Sequence, residues 1–219
     1  MKIIEFLREF YLKSNIKFLP NLRLEIENAV IPCKNILDVG CGSNSPIRLF
    51  KHKPYSIGVD AFEPSIKKSE ENKIHDKYCL MDILEIGEKF EPNSFDCVIS
   101  LDVIEHLTKK EGYKLIEMME RISSRKIVIF TPNGFVPQGI FEKNPWQIHR
   151  SGWTVEEMRQ RGYKVIGING WKFLKSEYGA PRFWPKIFWF IVAEFTQLFV
   201  RNRPELAFHI LCVKEKNYS

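Results

Sequence analysis

The stretch Asn35–Ser45 constrains this 219-residue chain more than any other. Ile36-Leu37-Asp38-Val39 is a short apolar run carrying one acid near its end, and Gly40 and Gly42 follow at alternate positions. A parallel strand buried on both faces reads as such a run. Glycine lacks a Cβ, so it takes up positive φ and lets backbone approach a bound molecule closely. Asp38 stands at the carboxyl end of the run, where open α/β sheets bind ligands. By itself, though, a glycine turn after a strand needs no ligand.

Downstream, apolar runs alternate with helical patterns. Ser56–Asp60, Lys77–Met81, Phe95–Ser100, Lys126–Phe130, Tyr163–Ile168 and Phe208–Val213 read as strands. A weak helix is expected around Ile47–Lys51 and another near Ser65–Asn72. Thr108-Lys109-Lys110-Glu111 and Thr154-Val155-Glu156-Glu157 have capping-box spacing and start helices running to about Ile122 and to Gly162. Thr131-Pro132-Asn133-Gly134 is a turn signal. With Ile36–Val39 this makes seven strands. The alternation implies an α/β, Rossmann-like, mostly parallel sheet with helices on both faces. Residues 2–13 place Ile3, Phe6, Leu7 and Phe10 at helical spacing, and Pro20 opens a second helical stretch that Pro32 stops. Residues 1–32 are thus expected to be an N-terminal helical extension of a single domain over 1–219.

No regular crossover helix can be assigned between Gly170 and Pro204, and residues 171–204 read as an aromatic insertion before the last strand. Phe188, Ile191, Val192, Phe195 and Phe199 share one face; Glu194, Gln197 and Arg201 share another. A membrane-spanning helix needs about 20 predominantly apolar residues. Pro185, Lys186 and Glu194 interrupt a shorter run, so a span is not expected. Packing against the core is the first expectation. A lid, an oligomer contact and a peripheral membrane contact through 183–200 are the others.

Net charge is +6 with a pI of about 9.0, but the basic residues fall in small scattered groups such as Lys51/Lys53 and Lys109/Lys110. Solvated faces account for them, and no nucleic-acid partner is expected. Five scattered cysteines without a CxxC or HxxxH pair predict neither a disulfide framework nor a metal site, and they suit a reducing cytoplasm. Charges at Lys2, Glu5, Arg8 and Glu9 exclude a secretory signal at the N-terminus.

Two further strand ends carry acids. Asp60 ends the second run, 22 positions after Asp38, where a carboxylate can accept from both hydroxyls of a ribose. Asp82 ends the third, where it can accept from an exocyclic amine or simply cap the next turn. The fourth run leads into Ser100-Leu101-Asp102-Val103-Ile104-Glu105-His106-Leu107. Asp38-x-Gly40-x-Gly42 resembles motif I of the class I S-adenosylmethionine (SAM)-dependent methyltransferases, with Asn44 where the third glycine usually stands. Asp102–Leu107 closely resembles the motif after strand 4 in the small-molecule branch that includes the quinone-biosynthesis methyltransferases.

The resemblance implies SAM as cofactor and one antiparallel strand among the last two. It implies Asp38, Gly40 and Gly42 at the methionine part, Asp60 on the ribose, Asp82 and Ile83 on the adenine, and Ser100 and Leu101 against the methionine end. It places the loop after strand 5 beside an acceptor pocket, making His149, Arg150 and Trp153 candidate contacts; Trp153 could equally be a buried staple before its helix. His106 and His149 are the candidate bases, and His106 could equally hold its loop. Glu105 is read as the loop-orienting group. The acceptor is an unidentified small molecule, with an apolar or lipid-like one as the sharper expectation. The Pro-Pro-aromatic motif of DNA-adenine methyltransferases is absent after strand 4.

Two other classes compete. A nucleotide-binding oxidoreductase domain would use Asp60 in the same way, but its G-x-G-x-x-G fingerprint fails at Ser45. A SAM-binding, non-catalytic partner protein would fit the missing third glycine.

Overall fold

Ile36, Leu37 and Val39 are fully buried, and around them the chain builds one sheet. The computed structural model describes residues 22–139, 144–176 and 179–216; the helix expected over 2–13 lies outside them. The strands are β1 (Asn35–Val39), β2 (Tyr55–Asp60), β3 (Lys77–Leu80), β4 (Phe95–Leu101), β5 (Ser123–Pro132), β6 (Lys164–Trp171) and β7 (Ala207–Glu215). Their order is β3-β2-β1-β4-β5-β7-β6. β1 to β5 pair in parallel, and β7 runs antiparallel to both β5 and β6. The strand order reverses between β1 and β4, the switch point at which open α/β sheets hold ligands.

Both faces are covered. Helix α1 (Leu22–Val30) lays Ile26 and Val30 on one face with Ile36, Ile99, Phe130 and Leu211. On the same face α2 (Glu63–Glu71) flanks β2 and β3, with Ser69 O accepting from the Tyr78 hydroxyl; on the other, the short α3 (Ile86–Lys89) buries Ile86, and α4 (Lys109–Ile122) does most of the covering. α4 opens on the expected Thr108–Glu111 capping box and buries Leu115, Ile116, Met119 and Ile122 at helical spacing. Each such side chain contributes about 1.5–3 kcal/mol. α5 (Val155–Gln160) starts on the second capping box, and Gly162 follows with φ +84°, as its place after the helix end requires.

Three expectations change. The weak helix at Ile47–Lys51 is a 3₁₀ turn, Pro46–Leu49, capped by Ser45. The Thr131-Pro132 part of the turn signal lies inside β5, because β7 pairs along its full length to Pro132↔His209. The larger correction concerns 171–204, where two helices form, α6 (Lys186–Phe195) and α7 (Gln197–Val200).

Their orientation overturns the expectation of core packing. Phe188, Ile191, Phe195 and Phe199 are exposed, whereas Gln197 is buried. The cause is the edge of the sheet. β6 is an outer strand, and an edge strand presents unpaired N–H and C=O groups. Gln197 Nε2 donates to Gly167 O at 2.9 Å, and its Oε1 accepts from Gly170 N at 3.0 Å. Thr196 Oγ1 accepts from Trp171 N at 2.8 Å, and Arg201 O accepts from Gly167 N at 3.2 Å. The polar face is needed inward, so the aromatic face points outward. Gly170, at φ +70°, lets α6 approach this closely, since a Cβ there would overlap the Ala193 carbonyl.

Replacing Gln197 with Leu leaves two buried backbone groups of β6 without partners. It is expected to lower unfolding free energy by about 1–3 kcal/mol, read by urea denaturation.

Candidate active site

The carboxyl ends of β1, β2, β3 and β4 deliver the candidate residues to one edge of the sheet. At the first, Gly40 N and Cys41 N both donate to Val59 O, at 2.8 and 2.9 Å, pulling the turn onto β2. Gly40 and Gly42 take φ of +75° and +59°. They differ in use. A Cβ on Gly40 would overlap Val103, whereas nothing lies within 4 Å of one on Gly42. Gly40 is packed by the protein; Gly42 borders open space.

Asp38 has another function than the one expected of it. Its side chain is 1% exposed; Oδ2 accepts from Ser45 Oγ at 2.6 Å and lies 3.0 Å from His75 Nε2. A carboxylate only accepts, so Nε2 carries the hydrogen. The group is committed to holding the glycine loop against the segment before β3 rather than turned toward a ligand.

Asp60 is turned toward the loop. Oδ2 accepts from Gly42 N and Oδ1 from Phe62 N, both at 2.8 Å. Burial pushes its carboxyl above the usual range, and these two N–H groups work in the opposite direction. Each oxygen keeps a further lone pair. Asp82 Oδ1 accepts from Leu84 N at 2.9 Å, capping the 3₁₀ turn Ile83–Glu85; Asp82 and Ile83 are half-buried. At the end of β4, Ser100 is fully buried, and its Oγ has no hydrogen-bond partner among the described residues. Leu101 beside it is half-buried. Asp102 follows with φ +55°, a conformation found mostly in Gly, Asn and Asp.

Glu105 is the centre of the next layer. It is 2% exposed; its Oε2 accepts from Thr131 Oγ1 at 2.9 Å, and its backbone oxygen accepts from Arg150 N and Ser151 N at 2.8 and 3.0 Å. Burial, with Asp102 nearby, holds the carboxyl well above the carboxylate range. Glu105 thus orients the loop as expected. It brings the β5–α5 loop onto the β4 end, and with it His149 onto His106, ring centroids 4.8 Å apart. His149 Nδ1 donates to Val136 O at 2.6 Å, leaving Nε2 as the unprotonated nitrogen of the neutral ring. Burial, then the neighbouring His149, pushes the His106 pKa down to about 4; burial also lowers that of His149. Both rings are neutral at pH 7.

Ligand atoms of Glu105, His106 and His149 lie within 4.8 Å of one another, the spacing of a conceivable cation site that no sequence spacing announced. A cation there would require an ionised Glu105, and burial opposes that ionisation.

Arg150 is exposed beside this loop. Trp153 is not available to a substrate. It is 0% exposed, its Nε1 donates to Ile104 O at 3.1 Å, and Lys109 Nζ sits 3.8 Å from the ring centroid. Of its two expected roles only the staple is open to it, because its ring fills the space that Gly112 leaves on α4.

The family described as a methyltransferase domain matches residues 37–127, from β1 into β5. Residues 37–127 thus carry the pattern of a methyltransferase domain. Among solved structures, a SAM-dependent methyltransferase from Archaeoglobus fulgidus is 19% identical with a TM-score of 0.57, over 97% of this chain and 99% of that one. A magnesium protoporphyrin IX methyltransferase from Synechocystis, solved with SAH, is 13% identical with a TM-score of 0.53, over 89% and 82%. Phosphoethanolamine N-methyltransferase 2 of Haemonchus contortus, solved with SAM, is 20% identical with a TM-score of 0.58, over 95% and 56%. At these identities the shared feature is the fold. No curated protein matches the chain by sequence.

Sequence reasoning missed His75, Ser45 as the partner of Asp38, and Thr131 as the partner of Glu105. His75 lies 37 residues from Asp38, and only the β1–β2–β3 pairing brings them together.

The raised pKa of Glu105 has a consequence with a definite sign. A carboxyl whose folded pKa exceeds its unfolded value contributes full stability below about 4.5 and loses it as pH rises through the folded value. Glu105→Gln keeps an acceptor for Thr131 and removes that slope. Melting temperatures of the variant minus wild type are therefore expected to grow more positive from pH 4.5 toward neutrality.

Proposed function

We propose that the chain is a SAM-dependent methyltransferase, that it holds SAM along the edge formed by Gly42, Asp60, Asp82 and Ser100, and that it methylates a small molecule with an apolar body. The observation that carries the first half is Asp60. Its two oxygens are each held at 2.8 Å by a backbone N–H, which fixes the carboxylate plane with lone pairs to spare for two ribose hydroxyls. The open side of Gly42 suits the same reading, because a close ligand needs backbone without a Cβ. The unpartnered Ser100 Oγ and Leu101 suit the methionine end. Asp82 keeps Oδ2 for an exocyclic amine while Oδ1 caps its turn, with Ile83 next to it. Asp38 acts through Ser45 and is a positioning residue.

When bound, SAM supplies an electrophilic methyl on a sulfonium. What remains for the protein is to hold the acceptor atom in line, and to take a proton where the acceptor carries one. His106 and His149 are suited to the second task, since both are neutral at pH 7 and keep an accepting nitrogen. For the acceptor, the β5–α5 loop that carries His149 and Arg150 also exposes Phe135 and Trp146, at 58% and 48%. Exposed aromatic rings and an exposed guanidinium on one loop favour an apolar molecule with an anionic group.

Calorimetry with S-adenosylhomocysteine tests the cofactor assignment. Asp60→Ala is expected to weaken binding roughly ten- to a hundredfold while remaining folded by circular dichroism; unchanged affinity would sink it. For the acceptor, labelled SAM incubated with fractionated lysate is expected to place label in the organic-extractable small-molecule fraction. Label confined to RNA or protein would reject the acceptor class without touching the cofactor site.

A further inference from the structure

The outward side of the two edge helices carries an unusual surface. Trp184, Ile187, Phe188, Ile191, Phe195, Leu198 and Phe199 recur every three or four residues, so one stripe runs the length of α6 and α7. All are exposed, from 49% for Ile191 to 80% for Trp184. Monomeric proteins seldom leave so many large apolar side chains contiguous in water. The stripe is no accident of composition, because the polar residues of the same helices are used up on β6.

Its border is cationic. Arg182 and Lys186 lie at its amino end, Arg203 at its carboxyl end against the Phe199 ring, and Lys172 beside exposed Trp171 and Phe173. The described carboxylates of this region are spent elsewhere, Glu194 on Lys175 and Glu205 on Arg159. A second copy of the chain docked stripe to stripe would set cation against cation in either orientation. An anionic surface is complementary throughout. No helix among the described residues is long and apolar enough to cross a membrane.

We propose that this face docks the protein onto the surface of an anionic phospholipid bilayer, with the stripe inserted at the headgroup boundary and the basic border on the phosphates. The contact is independent of the atom methylated and of how SAM is held.

Co-sedimentation of the full chain tests it, with vesicles of phosphatidylglycerol mixed with phosphatidylcholine and with vesicles of phosphatidylcholine alone. Binding is expected to the mixed vesicles, at least about tenfold weaker to phosphatidylcholine alone, and to weaken with added salt. Phe188→Ser with Phe195→Ser, both on the exposed stripe, is expected to cut binding at least about tenfold at an unchanged melting temperature. Arg182→Gln with Arg203→Gln provides a second variant that leaves the apolar stripe intact and lowers binding to the mixed vesicles. The proposal is overturned if wild type stays in the supernatant, or if both folded variants bind as it does. A dimer in sedimentation velocity that the two serines dissolve would assign the stripe to a second copy and overturn it as well.

Discussion

One buried carboxylate, Asp38, is the point on which the candidate site depends. It joins the end of β1, the glycine loop through Ser45, and the lead into β3 through His75. Nothing near it offers water as a substitute partner, since both side chains of the Asp38–His75 pair are essentially inaccessible. Removing one member of such a set costs more than the hydrogen bond itself, because the others stay buried without partners. With the loop held there, Gly42 N reaches Asp60, and two strand ends become a single surface. Asp38 and Asp60 are thus chemically alike but differently employed. The first is enclosed and ties backbone together; the second stands at the border of open space.

The other half of the site is assembled by a buried acid. Glu105 is too well buried to ionise readily, yet it gathers Thr131 and the backbone of Arg150 and Ser151 around itself. The two histidines meet because of that gathering, on elements more than forty residues apart in the chain. Burial keeps both rings uncharged, so two imidazoles sit together without the repulsion two imidazolium ions would suffer. Along this edge of the sheet, two carboxylates held by backbone N–H groups, Asp60 and Asp82, thus stand apart from two uncharged imidazoles.

The far edge of the sheet follows a different constraint. β6 has no further strand beside it, and its free N–H and C=O groups take the polar side chains of α6 and α7. A hydrophobic pattern alone assigns the apolar face of a helix to the core. Here the hydrogen-bond requirement of an edge strand wins, because an unmet buried backbone group costs as much as burying a large side chain contributes. The exposed aromatic stripe is the consequence.

Much of this was legible in the residues. Local signals determine local structure: the apolar runs marked all seven strands, the Thr108–Glu111 and Thr154–Glu157 boxes marked two helix starts, and Asp38-x-Gly-x-Gly with Asp60, Asp82 and Asp102–Leu107 marked the carboxyl ends of successive strands. What the sequence could not reveal were the partners separated in the chain. The Asp38–His75 contact, the burial of Glu105 and Trp153 and the inward turn of Gln197 each depend on strand pairing and on what is shut away from water. Periodicity and motif spacing are properties of neighbouring residues; burial and hydrogen-bond demand belong to the assembled sheet, and only the tertiary structure decided them.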